Sequence, residues 1–221
     1  MNSLKVVLNY KYLKYIIIKM NKNLYLIRHG YSLHNELFHK IGIQAFRTPE
    51  TIDSPLTNEG HIQSIELGQS WQKKYEIELI LVSPLMRTLE TAMNIFGDTN
   101  KPIISQEFLR EYPIGEDTCN KRSSLTLLKN KFPKVEFHLE SDQDILWKSD
   151  YRESNDELEQ RLDTMIKYLH GRKEKNIAIV GHSSYFGQFK DNHIGYMENG
   201  DEELKHCYPY EYILKPDYKR L

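Results

Sequence analysis

The sequence predicts a three-layer α/β sandwich with a mostly parallel central sheet, and three observations carry that reading. Short apolar runs that stop abruptly at polar residues recur at residues 24–27 and 177–180, as strands buried on both faces require. Between such runs lie stretches of helical apolar spacing. The clearest is residues 155–172, where Leu158, Leu162, Met165, Ile166 and Leu169 form one stripe. Strands alternating with helices put helices on both faces of a parallel sheet.

Taken in order, the first strand falls at residues 24–27, and a polar loop follows through Pro55. Thr57 is placed to cap a helix whose inward face is expected to carry Ile62, Ile65, Leu67 or Gly68, and Trp71. Residues 78–82 read as the second strand, 85–96 as the next helix and 101–105 as a third, weaker strand. From Arg110 to Tyr151 the pattern is irregular, with a helix near residues 123–130 and a short apolar segment near 135–137. Residues 110–151 therefore read as an insertion covering a site. The helix at 155–172, the strand at 177–180 and an edge strand at 210–214 complete a single domain over residues 21–221, with no internal repeat.

Residues 1–20 stand apart as an N-terminal extension, apolar residues broken by Lys5, Lys11, Lys14 and Lys19. Those lysines argue against a membrane span, which needs roughly 20 mostly apolar residues, and no uninterrupted apolar core precedes a cleavage site. Three readings stay open: an added strand or helix, a weak targeting segment, or a leader ahead of Met20. With 39% hydrophobic and 28% charged residues and a net charge of −1, the composition is that of an ordinary soluble domain with no basic footprint for nucleic acid. Cys119 and Cys207 are too few for a disulfide framework or a zinc knuckle. The expectation is a cytoplasmic protein with no nucleic-acid or membrane partner, and its oligomeric state is left open.

In a parallel sheet, ligands bind beyond the carboxyl ends of the strands. His29 follows the first strand, His182 follows the strand at 177–180, and Ser83 to Arg87 follow another strand end. One rim can thus gather two imidazoles and the guanidiniums of Arg28 and Arg87. Arginine forks match phosphate oxygens and stay charged at physiological pH. A neutral imidazole can attack phosphorus, and a second histidine, if protonated, would stabilise the transition state without metal or cofactor. Glu111 is the candidate acid for the leaving oxygen, which requires a raised pKa.

These residues resemble the histidine phosphatase superfamily, also called phosphoglycerate-mutase-like, over nearly all of the chain beyond residue 24. Four blocks carry the likeness: Arg28-His29-Gly30 continued by Ser32 and Asn35; Asp53-Ser54-Pro55-Leu56-Thr57 with Gly60; Ser83-Pro84-Leu85-Met86-Arg87-Thr88 with Thr91-Ala92; and Val180-Gly181-His182-Ser183. The resemblance implies that His29 is the phosphorylated nucleophile and that Arg28, Arg87, His182, Asn35, Ser32 and Ser183 form the phosphate pocket. It also implies that Glu111 is the proton donor, although Tyr112 and Pro113 depart from the mutase pattern. Residues 119–124, Leu146-Trp147 and Arg152-Glu153 are similar to a subgroup whose substrates the likeness does not name.

The expected function is hydrolysis of a small phosphorylated substrate through phosphohistidine. The alternatives are a phosphoglycerate mutase and a non-catalytic module that binds phosphorylated ligands. His34, His39, His61, His138, His170, His193 and His206 read as structural, and Asp53 and Thr57 as loop and cap residues. Glu107 and Glu116 are the nearest rivals of Glu111. Lys121 and Arg122 either grip a second anionic group or open a solvated helix.

Overall fold

A computed structural model describes residues 21–190 and 204–214, so the segment 1–20 and His193 lie outside the described residues. Six strands form one sheet: β1 (Lys22–Arg28), β2 (Leu79–Val82), β3 (Ile103–Gln106), β4 (Val135–His138), β5 (Asn176–Gly181) and β6 (Pro209–Leu214), in the order β4-β3-β2-β5-β1-β6. The first five are parallel, and β6 pairs antiparallel to β1 at the edge. Six α-helices accompany them: α1 (Leu33–Ile41), α2 (Asn58–Ser70), α3 (Met86–Phe96), α4 (Leu125–Lys131), α5 (Asn155–Gly171) and α6 (Ser183–Phe189). This is the predicted α/β sandwich. No helix among the described residues is long and apolar enough to cross a membrane.

The sheet separates two apolar cores, because side chains alternate across each strand. Leu24 and Leu26 of β1 join the α5 stripe on one side, while Tyr25 and Ile27 join Leu89, Ala92 and Phe96 of α3 on the other. The α5 stripe is buried at all five predicted positions, and Ser154 caps the helix by accepting from the Glu157 amide.

Two elements depart from the sequence expectation. Helix α2 turns Gly60, Ser64 and the expected Gly68 inward, and Leu67 and Trp71 pack against the core as expected, while Ile62 and Ile65 are 56% and 41% exposed. Close approach of α3 explains the reversal: a Cβ on Gly68 would lie 2.9 Å from the Asn94 carbonyl oxygen, so small residues face the partner helix. Helix α1 lies within the expected polar loop. Its Leu33, Leu37, Phe38 and Ile41 follow a helical spacing that the expectation of a loop passed over, yet of its residues only His34 is buried.

The stretch 110–151 is not wholly the expected insertion over the site, since β4 within it pairs parallel with β3 and only residues from 111 to 120 line the cleft; two buried arginines anchor it. Arg110 donates to both oxygens of Asp144 at 2.7 Å. Arg122 donates to Glu107 and to the carbonyl oxygens of Ser123, Ser141, Asp142 and Gln143. Neither expectation for Arg122 holds, since its guanidinium is consumed in tying the insertion together. Lys121 lies with Nζ 4.7 Å from the ring centre of Trp147.

Candidate active site

Strand order assembles the site. Strands β1 and β5 are neighbours in register, with Arg28 opposite Gly181, so His29 and His182 leave the sheet side by side, ring centres 5.3 Å apart. On the other flank of β5, the Ser83 amide donates to the Val180 carbonyl as β2 ends, and α3 carries Arg87 over the same rim. Asp53 fixes the start of α3: its buried carboxylate accepts from the amides of Met86 and Ser123 at 2.8 Å each. Its role is therefore the cap-like one expected, exercised on a distant helix. Thr57 caps α2 by accepting from the Gly60 amide.

The turn after β1 explains two glycines. A Cβ on Gly30 would lie 2.5 Å from the Gly60 carbonyl oxygen, and one on Gly60 would lie 2.0 Å from that of Tyr31. Only residues without side chains let the start of α2 press against this turn.

A cleft of about 610 Å³ is lined by Arg28, His29, His34, Asn35, Arg87, Glu111, Ser183 and residues of the insertion. At its floor, His29 Nδ1 lies 2.8 Å from the Gly30 carbonyl oxygen, which can only accept. The hydrogen is thereby on Nδ1 and the lone pair on Nε2. That lone pair accepts from Arg87 Nε at 3.2 Å, while the two other guanidinium nitrogens donate to the Cys119 carbonyl and Asn120 Oδ1 at 2.8 Å. Arg28 donates to the Leu204 carbonyl at 2.8 Å. Burial, reinforced by Arg87, holds the pKa of His29 well below its ordinary 6.5.

His182 is held by Ser83, whose Oγ lies 2.8 Å from Nε2, and its Nδ1 is buried without a hydrogen-bond partner among the described residues. Burial and Arg87 push its pKa well below 6.5 too, which favours the neutral ring. Burial raises the pKa of Glu111 above its ordinary 4.5 against the opposing pull of Arg87. Its Oε1 accepts from the amides of Tyr112 and Tyr185 at 2.8 and 3.0 Å, while Oε2 has no hydrogen-bond partner among the described residues. The rivals are occupied: Glu107 pairs with Arg110 and Arg122, and Glu116 with Arg47.

Asn35 and Ser183 line the cleft, whereas Ser32 and His182, both fully buried, lie behind its wall. Fully buried, Ser32 donates through its hydroxyl to Asn35 Oδ1 at 2.6 Å and lies 2.9 Å from His34 Nδ1, so it positions neighbours instead of contacting a ligand. Two histidines read as structural belong to the site's surroundings. His34 lines the cleft with its ring centre 5.9 Å from that of His29, and His206 Nδ1 donates to the His29 carbonyl at 2.6 Å. Spacing offered a signal for His34 alone, which lies four residues before Phe38 on one helix face.

The model of the histidine phosphatase superfamily (branch 1) matches residues 24–191. Phosphoglycerate mutase-like protein 1 of Arabidopsis thaliana is 34% identical over 196 residues, covering 74% of this chain and 69% of that protein. Among solved structures, the ecdysone phosphate phosphatase of Bombix mori in complex with tungstate aligns at 16% identity over 87% of this chain and 88% of its own, with a TM-score of 0.54. The α-ribazole phosphatase of Shigella flexneri aligns at 21% identity over 76% and 77%, with a TM-score of 0.50. At these identities the structural likeness is one of fold.

Proposed function

The chain belongs to the histidine phosphatase superfamily, and we propose that it hydrolyses a small phosphomonoester through a phosphohistidine at His29, without metal or cofactor. The observation that supports this most is the fixed tautomer of His29, which aims a neutral nitrogen lone pair into a cleft shared with Arg28, Arg87 and Glu111. Arg28, Arg87, Asn35 and Ser183 hold the phosphoryl oxygens. With the Ser83 hydroxyl donating to Nε2, His182 offers its otherwise unpartnered Nδ1–H to one of them.

In the first step Nε2 of His29 bonds to phosphorus as the ester P–O bond breaks, and the leaving oxygen takes a proton from Oε2 of Glu111. In the second, water attacks phosphorus and gives its proton to the Glu111 carboxylate. The N–P bond breaks, phosphate leaves and Glu111 is again protonated. Transfer to a second hydroxyl, as in a mutase, is less well supported. A phosphoglycerate carboxylate needs a cation, and Arg47 and Arg152 at the rim are already paired with Glu116 and Asp117.

The test is incubation with a radiolabelled phosphomonoester. Release of free phosphate and an acid-labile, alkali-stable label on wild type that is lost in His29→Ala is the expected result. Label without phosphate release would point to transfer, and neither label nor release would leave only a binding role.

A further inference from the structure

We propose that the cleft carries an apolar subsite for the alcohol half of the substrate, formed by Phe38, Ile43 and Phe46, and that the preferred substrate is a phosphomonoester of an uncharged, ring-bearing alcohol. The inference deepens the hydrolase reading given above and rests on it. All three side chains line the same cleft as His29 and Arg87. Phe38 and Ile43 are 44% and 68% exposed, which is unusual for large apolar groups beside a polar site.

Local backbone builds this wall. Helix α1 ends at Gly42, whose φ of +67° reverses the chain, and the following turn brings Phe46 back onto Phe38. The two rings stack 5.3 Å apart with planes 8° from parallel. From there a ladder of rings descends to the nucleophile: Phe46 lies 5.7 Å from His34, and His34 lies 5.9 Å from His29. His34 is fixed in that position by Ser32 at its ring and by Ser54 at its amide. A phosphoryl group at Nε2 of His29 would direct its ester oxygen toward an apolar surface continuous with the phosphate pocket.

Charge at the rim agrees. Arg47 is shared between Asp117 at 3.1 Å and Glu116 at 2.8 Å, and Arg152 reaches Glu116 at 3.4 Å. Two cations meet two anions, so this side offers no net charge to an acidic leaving group. An uncharged ring packed on Phe38 and Phe46 gains from leaving water without breaking these pairs.

The experiment compares esters of similar leaving-group acidity, 3-phenylpropyl phosphate and ethyl phosphate, with O-phosphoserine as the charged control. The expected kcat/KM favours the phenylpropyl ester by about tenfold or more over the other two. Phe38→Ala should reduce that preference at least roughly threefold, and Phe38→Leu should restore part of it. Because Phe38 is half-exposed, its replacement does not test folding. Calorimetric Kd values for 3-phenylpropylphosphonate and ethylphosphonate give a readout independent of turnover, with the same order expected. Equal kcat/KM for the two esters, or preference for phosphoserine, overturns the subsite and leaves the hydrolase reading intact. Tighter phenylpropylphosphonate binding with no turnover of any ester overturns the hydrolase reading while the subsite stands.

Discussion

Arg87 donates through Nε to Nε2 of His29 at 3.2 Å, so the guanidinium proposed to hold phosphate also occupies the lone pair proposed to attack it. The contact keeps His29 neutral and aligned until an anion takes over the Arg87 donors. Arg87→Ala is expected to lower kcat/KM by about 10²–10³. It should also raise the pKa of His29, because a positive neighbour is lost, and so move the acid limb of the pH profile to higher pH. An unshifted acid limb would mean that Arg87 acts on phosphate alone.

In the proposed hydrolysis the alkaline limb belongs to Glu111, which must be protonated for the first step. Since burial raises its pKa above 4.5, and that of His29 lies well below 6.5, activity needs His29 deprotonated and Glu111 protonated. Glu111→Gln should cost about 10²–10⁴ with an alkyl phosphate and much less in the first step with p-nitrophenyl phosphate, whose leaving group needs no acid. Equal losses on both, measured as burst rates, would remove Glu111 from the donor role.

Three buried histidines, His29, His34 and His182, have pKa values pushed well below 6.5, chiefly by burial. The unfolded chain takes up protons near 6.5 that the folded chain refuses, so stability present above that pH is lost as pH falls below it, at about 1.4 kcal/mol per pH unit for each group. Thermal unfolding between pH 7.5 and 5.5 should show Tm falling on the acid side. A flat Tm would show that these rings do take up protons in the folded state.

Gly60→Ala should destabilise the fold by about 3 kcal/mol, because its methyl group would meet the Tyr31 carbonyl oxygen. Urea unfolding measures the loss. A change within about 0.5 kcal/mol would show that the turn yields without cost.

The strands and the chemistry at their ends were legible because each signal is local. His29, His182 and Arg87 follow apolar runs that can only be buried strands, and the α5 stripe announces its own face. What escaped depends on distant partners. On α2 the expectation held for Gly68, Leu67 and Trp71 but failed for Ile62 and Ile65, because Gly60 and Ser64 pack by being small, a preference that apolar periodicity does not register. His206 looked structural because nothing near it in sequence reveals that the His29 carbonyl holds it beside the His29 ring. Arg122 looked like a surface cation because the carbonyls it serves lie 19 to 21 residues away, except for that of Ser123.

The pairing of β1 with β5 joins positions separated by more than 150 residues, Arg28 opposite Gly181. During synthesis His29 emerges more than 150 residues before β5 and His182 are complete, and β5 lies between β2 and β1 in the sheet. A chain halted before Asn176 therefore has no central ladder and no phosphate pocket. Ligation of an anion there reports that two strands made more than 150 residues apart have been threaded side by side, which gives the site the character of an assembly check on its own sheet.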